Sequence, residues 1–132
     1  MRRLVSVLAL LFACSWLASA VAQTPGTTGG LVLTPLAPTS GHGISNVALI
    51  NQSGVRVLRV DVEPNGVRNV HSHDDVEFHL FIPITGPVRL DLGSEKLELR
   101  EWQAQLIKGR TPHGFTNTGT SRATVMEVFV MR

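Results

Sequence analysis

The sequence has 132 residues, of which twelve are Lys or Arg and ten are Asp or Glu, so its net charge is +2. This length predicts one domain with a single core. The chain has one cysteine, which excludes an intramolecular disulfide, and it has no basic run or basic aromatic face of the kind that binds nucleic acid.

The first 22 residues have the pattern of an export signal. Arg2 and Arg3 form a charged start, residues 4–17 are apolar, and residues 20–22 (AVA) form a small-x-small cleavage site. The apolar run is shorter than the roughly 20 residues that span a membrane. We therefore expect a periplasmic or secreted mature protein of 110 residues, with ten basic and ten acidic side chains and no membrane anchor.

Residues 23–43 are rich in Pro, Gly and Thr, which predicts an extended or disordered N-terminal arm with His42 at the surface. From residue 44 to residue 132 the pattern changes to short segments rich in Val, Leu, Ile and Phe, separated by turn residues. This spacing is typical of an all-β domain. The predicted strands are residues 47–51, 55–62, 70–73, 76–82, 88–92, 96–102, 105–108, 113–116 and 123–130.

One predicted strand has apolar residues on both faces. From Phe78 to Ile84 only His79 interrupts the apolar run. One face would line the interior, and the other would need a cover, because an exposed apolar strand face favours association. The N-terminal arm and a second subunit are both candidates for this cover, and we expect a homodimer.

Three histidines and a glutamate have spacings that suit a divalent transition metal. His71 and His73 are two residues apart, and on a strand such side chains share a face. Glu77 follows after three residues, and His113 lies forty residues further on in a Gly- and Pro-containing turn, so only tertiary folding can close the site. Mixed nitrogen and oxygen ligands are compatible with Fe, Mn, Ni, Cu, Co or Zn. The alternative is a pair of surface histidines beside the acidic turn Asp74-Asp75.

These residues resemble the two motifs of the cupin superfamily. Gly66, His71, His73, Glu77 and Gly86 fit the first motif, and Gly109, His113 and Asn117 fit the second. The chain departs from the second motif, which has proline at the position of Ile107 and one residue fewer between the glycine and the histidine. The resemblance implies a single jelly-roll β-barrel over residues 44–132, with the metal inside one end and with Asn117 forming a turn.

Other side chains are candidates for lining this site. His79 should share the face of Glu77, where it would act as a general acid or base, or else pack as a hydrogen-bonded pocket residue. Phe81 and Met126 are expected to fill the pocket. Arg110, in the loop before His113, is either a partner for an anionic substrate or an exposed loop arginine.

Three further residues lie in predicted strands. Trp102 and Phe115 are predicted to lie in the core. Glu127, within the apolar last strand, either faces the pocket or occupies a solvent-facing position of the strand alternation.

The sequence is compatible with two functions. The first is a secreted metalloenzyme acting on a small organic substrate, with oxygenase-like chemistry favoured over decarboxylase- or isomerase-like chemistry because Phe and Leu line the expected pocket. The absence of tyrosine argues against enzymes that need a tyrosine acid or base. The second is a non-catalytic protein that uses the metal as a structural clip or as an anchor for a small ligand.

Overall fold

The computed structural model describes residues 34–35 and 40–132, and every regular element within them is a β-strand. The expected signal sequence and most of the arm lie outside the described residues. Within the described part, no helix has the length and apolar character needed to cross a membrane. The strands are β1 Thr34–Pro35, β2 Gly41–Gln52, β3 Val55–His71, β4 Val76–Thr85, β5 Val88–Leu92, β6 Glu95–Leu99, β7 Gln105–Lys108, β8 His113–Asn117 and β9 Ala123–Met131.

Strand β3 joins two halves of one curled sheet. Its first half, residues 55–62, pairs with β9, and its second half, residues 67–71, pairs with β8. The strand order is β6-β5-β8-β3-β9-β4-β7, with β2 paired along β3 and β1 paired on β2. The predicted all-β class is therefore confirmed, and the curled sheet is consistent with a jelly roll.

A bulge at residues 63–66 lets β3 bend. Asn65 has a φ of 60°, in the left-handed region that asparagine tolerates. A Cβ at Gly66 would lie 2.8 Å from the carbonyl oxygen of Glu63 and 2.9 Å from that of Gly43, so only glycine fits there. The sequence predicted a turn here that would separate two strands. The strand instead continues through it, because the bulge bends the chain without ending the pairing.

The core lies between the two halves of the sheet. Val125 and Phe129 of β9 are fully buried from one half, and Leu90 and Phe115 are fully buried from the other. The rings of Phe81 and Phe115 meet across the interior, with centroids 5.0 Å apart. Burying each large apolar side chain contributes roughly 1.5–3 kcal/mol, so this layer holds the halves together.

Strand β4 carries apolar side chains on both faces, as its sequence predicted. The inward-facing Val76, Phe81 and His79 are buried, whereas the outward-facing Leu80 and Ile82 are half-buried. The prediction for Trp102 is wrong. Its side chain is 70% exposed, because it occupies the turn between β6 and β7 with a φ of 65°.

The N-terminal edge of the sheet begins earlier than residue 44. Strand β2 starts at Gly41, and the two residues of β1 pair with it, Thr34 opposite Ala48. His42 is exposed on β2, and its Nε2 lies 3.0 Å from the carbonyl oxygen of Asn65. The end of the arm therefore runs beside the sheet edge.

Asn117 ties the β8–β9 connection to β3. Its buried Nδ2 donates hydrogen bonds to the carbonyl oxygens of Val62, at 2.9 Å, and Ser121, at 2.8 Å. Its Oδ1 accepts a hydrogen bond from the backbone N–H of Gly119 at 2.8 Å. This is the turn-forming role that the sequence suggested.

We expect Asn117→Ala to destabilise the fold by about 2–3 kcal/mol, because it leaves buried carbonyl groups without donors. Urea unfolding of the two proteins measures this difference in the free energy of unfolding. Thr118→Ala, an exposed neighbour, is the control and should change it by less than about 0.5 kcal/mol. Equal stability of the Asn117 variant and the wild type would contradict the assignment.

Candidate metal centre

Four of the five histidines in the chain converge at one end of the curled sheet. The ring centroid of His113 lies 4.4 Å from that of His71, 5.3 Å from that of His73 and 4.8 Å from that of His79. His71, His73 and His113 each offer a nitrogen, and these three atoms lie within 4.8 Å of one another. The structure thus brings together three of the four residues predicted as ligands.

Strand pairing places the first and last of these side chains side by side. His71 ends β3, His113 begins β8, and the two residues are direct partners in the antiparallel ladder. Direct partners have their side chains on the same face of a sheet. The two histidines are 42 residues apart in sequence, and this one ladder pair brings them together.

Backbone contacts hold the loop that carries His73. The N–H of Arg110 donates to the carbonyl oxygen of His73 at 3.0 Å, and the N–H of Gly109 donates to that of Glu77 at 2.8 Å. A Cβ on Gly109 would lie 1.9 Å from the carbonyl oxygen of Val76. Only glycine allows the two backbones to approach so closely, which explains the glycine at position 109, before His113.

Hydrogen bonds orient two of the imidazoles towards the common centre. The Nδ1–H of His71 donates to the carbonyl oxygen of Asn69 at 2.9 Å, and that of His113 donates to the carbonyl oxygen of Thr111 at 2.8 Å. Each bond fixes the tautomer in which Nε2 carries a lone pair, the form that binds a metal.

Glu77 does not join the cluster, because a bulge turns it away. The pairing of β4 with β9 shifts register between Val76 and Phe78, so β4 has one extra residue at Glu77. Val76 and His79 then face inward, and the side chain of Glu77 is exposed. The sequence placed Glu77 and His79 on one face because they are two residues apart. The bulge breaks that alternation.

His79 and Glu127 form a second, buried group with His113. Each of the three offers one atom within 4.8 Å of the others, and Nε2 of His79 lies 3.9 Å from Oε1 of Glu127. His79 is 1% exposed and Glu127 is 5% exposed. His79 is therefore at the centre, as the sequence suggested, and it occupies a place where it can serve as a fourth ligand.

Glu127 faces the interior, which is one of the two positions that the sequence left open for it. Along β9 the buried positions are Ala123, Val125, Glu127 and Phe129, so the glutamate occurs in the inward phase of the strand. Its cross-strand partners, Leu58 and Phe81, are both buried. Glu127 alternates with apolar residues at every second position of β9, and this spacing is the sequence signal that could have identified it.

The three residues expected to line the pocket have different positions. Phe81 is fully buried in the core and lies beside Glu127. Met126 lies on the opposite face of β9, where its neighbours in the ladder are Arg59 and Ile82, so it does not line the histidine site. Arg110 is exposed, and its Nε lies 3.8 Å from the carboxylate of Asp74.

Burial keeps the imidazoles neutral. Desolvation lowers the pKa of His71 and of His73 to about 4 and that of His79 to about 3, and it also lowers the pKa of His113. Desolvation has the opposite effect on the carboxyl group of Glu127, whose pKa it raises to about 7. Neutral imidazoles have the lone pairs that metal coordination needs.

We expect metal affinity to stay constant from pH 8 to about pH 5 and to fall below that, since protons compete only near the lowered pKa values. The unperturbed histidine pKa of about 6.5 would have placed this fall at higher pH. Equilibrium binding of one metal across this range measures the midpoint. A midpoint near pH 6.5 would contradict the buried arrangement.

The metal-free protein should also lose stability on acidification. A histidine with a lowered pKa binds fewer protons folded than unfolded, so its contribution falls as pH drops from about 6.5 towards 4. Glu127, with a raised pKa, acts in the opposite direction between pH 4.5 and 7. Because several histidines oppose one glutamate, the melting temperature should fall between pH 6.5 and pH 4.

The donor atoms fit a transition-metal ion. Nε2 of His73, Nε2 of His113, both ring nitrogens of His79 and Oε1 of Glu127 are buried without a hydrogen-bond partner among the described residues. Buried polar atoms are normally paired, and a cation would satisfy the nitrogens of His73 and His113 and one of the two nitrogens of His79. Imidazole-rich sites suit Fe, Ni, Cu, Co and Zn, and an added carboxylate also suits Mn.

The chain belongs to the cupin family, because the cupin domain model matches residues 58–129. This range includes all four converging histidines and Glu127. It confirms the resemblance carried by the histidine motifs. No curated protein matches the sequence at a significant level.

Solved structures share the fold at low identity. KdgF from Halomonas sp. is 18% identical, with 75% of this chain and 86% of that chain covered and a TM-score of 0.65. A predicted oxalate decarboxylase from Thermotoga maritima is 16% identical (76% and 94% covered, TM-score 0.67). The polyketide cyclase RemF from Streptomyces resistomycificus is 18% identical (76% and 75% covered, TM-score 0.64). At these identities the likeness concerns the fold alone.

Proposed function

We propose that this protein is a metal-dependent enzyme that acts on a small organic substrate, with oxygenase-like chemistry. The convergence of four imidazoles carries the proposal, since three of them have buried nitrogens without a hydrogen-bond partner among the described residues. His71, His73 and His113 would hold the ion, with His79 as the fourth ligand in place of Glu77. A divalent transition metal with open positions would polarise a carbonyl or enolate, or activate dioxygen.

The neighbouring carboxylate favours an enzyme over a structural metal site. Glu127 lies beside His79 but belongs to a different donor group from His71 and His73. In a carboxylate–histidine–metal arrangement it would accept a hydrogen bond from His79 and orient the ring. With a pKa of about 7, it can also accept or release a proton near neutral pH. His71 and His73 are half-exposed, so the centre has an approach from solvent.

To test this, residues 23–132 are expressed and the bound metals are measured. The metal-loaded protein is then screened for oxygen uptake and for carbon dioxide release with small organic substrates. Oxygen uptake supports the oxygenase assignment, and carbon dioxide release without it supports a decarboxylase. Glu127→Gln should then lower turnover by about 10²–10⁴-fold while the metal content stays at the wild-type level. Unchanged turnover in this variant would exclude a proton-transfer role.

The second candidate is a non-catalytic protein that binds the metal as a clip or as an anchor for a small ligand. The tight core beneath the site favours it, since Phe81 and Phe115 are fully buried and in ring contact. Stoichiometric bound metal with neither oxygen uptake nor carbon dioxide release would support this candidate.

We also propose that the mature protein is exported to the periplasm or secreted and that it forms a homodimer. The support for export is the N-terminal signal pattern. The support for the dimer is the apolar outer face of β4, where Leu80 and Ile82 lie near Leu106 of β7, which is 48% exposed. Size-exclusion chromatography with light scattering gives the mass, and Leu106→Glu should shift a dimer to the monomer.

A further inference from the structure

Two arginines of β3 lie on the inward face of the sheet with the histidines. Arg56 is the direct ladder partner of Phe129, and Arg68 is the direct partner of Phe115. Both phenylalanines are buried in the core, and direct partners share a face. Each arginine is half-buried, so each brings a positive charge towards the interior.

Arg56 is already held by its neighbours. Its guanidinium carbon lies 4.6 Å from the centroid of the Phe129 ring, which itself lies 5.0 Å from the ring of His73. Its Nη1 is 3.7 Å from the carboxylate of Asp75. The cation–π contact and this carboxylate compensate part of its charge.

Arg68 has no such carboxylate. Its Nη1 donates hydrogen bonds to the carbonyl oxygen of Ser40 at 3.1 Å and to the hydroxyl oxygen of Ser40 at 3.2 Å, and both partners are neutral. Among the described residues no acidic oxygen lies within ion-pair distance of it. Its ladder partner Phe115 is two residues from His113 on β8, so Arg68 lies opposite the inward position next to that histidine.

The charges around the centre do not balance. Imidazoles that coordinate an ion are neutral, and a bound divalent cation would add two positive charges to those of Arg56 and Arg68. On the negative side are Glu127, which is buried, and Asp75, which is 57% exposed. An uncompensated positive site of low dielectric constant attracts an anion strongly.

Resting on the proposed metal centre, we propose that the substrate carries a carboxylate group and that Arg68 binds this carboxylate. A guanidinium has a planar fork of donors that matches both oxygens of a carboxylate. The sequence offered Arg110 for an anionic substrate. That side chain is exposed and faces Asp74, so the role passes to Arg68.

The test compares three carboxylates with their uncharged amides, namely acetate with acetamide, pyruvate with pyruvamide, and benzoate with benzamide. Calorimetric titration into the metal-loaded protein should show at least one carboxylate binding about 10-fold or more tightly than its amide. Arg68→Gln should abolish this preference, and Arg68→Lys should restore part of it. Arg59→Gln is the matched control, because Arg59 is on the outer face of the same strand and should change nothing.

Two results would overturn the inference. One is the absence of any preference for a carboxylate over its amide in all three pairs. The other is a preference that survives in Arg68→Gln, which would assign anion binding to the metal alone. Metal analysis of the same samples separates the two proposals: with metal present, these results defeat only the carboxylate inference, whereas a wild-type protein without metal defeats the proposed function.

Discussion

Replacing His113 with alanine is expected to reduce metal affinity by more than about 100-fold. Removing a residue that only hydrogen-bonds to a metal ligand already lowers metal affinity by about 10–100-fold, and loss of a ligand should cost more. His113 belongs both to the group with His71 and His73 and to the group with His79 and Glu127. Its side chain is 1% exposed. Its Nδ1–H is fixed by the carbonyl oxygen of Thr111, so Nε2 is directed at the centre. Metal content after dialysis, together with competition against a chelator of known affinity, gives the ratio.

Two controls make this prediction specific. His42→Ala removes an exposed histidine on β2, and Glu77→Gln removes the carboxylate that the bulge turns outward. Both variants should retain the metal with wild-type affinity. Retention of the metal by His113→Ala, or its loss in Glu77→Gln, would contradict the proposed ligand set.

Phe129→Ala should destabilise the metal-free protein by about 3–5 kcal/mol, the usual cost of removing a buried phenylalanine. The ring is fully buried, and its centroid lies 5.0 Å from that of His73 and 4.7 Å from that of His79. It also supports the guanidinium of Arg56. Urea unfolding without metal measures the cost.

The same substitution should weaken metal binding, since two imidazoles lose the surface against which they pack. Phe129→Leu keeps most of the volume and should cost less than half as much. A change below about 1 kcal/mol in Phe129→Ala would mean that the ring does not support the centre.

The strand pattern and three of the converging histidines were accessible from the sequence. Strands β5 and β7 begin and end at the predicted residues, because apolar alternation and flanking turn residues define them locally. His71, His73 and His113 stand in motifs whose spacing resembles a known family. The resemblance was therefore enough to predict that these three histidines converge.

The remaining parts of the site depended on where the strand alternation is interrupted. One extra residue in β4 moved Glu77 outward, and a bulge at Asn65 joined two predicted strands into β3. Neither bulge has a strong local signal, since each is set by the register with a partner strand. Glu127 was ambiguous for the same reason, because only the phase of β9 decides whether it faces the core.

Crystallographic anomalous scattering from the metal-loaded protein is the most direct test of the proposed centre. We expect one peak at about 2.0–2.3 Å from a ring nitrogen of each of His71, His73 and His113, with His79 as the fourth ligand. A peak bound to Glu77, or one beyond bonding distance of His113, would contradict it.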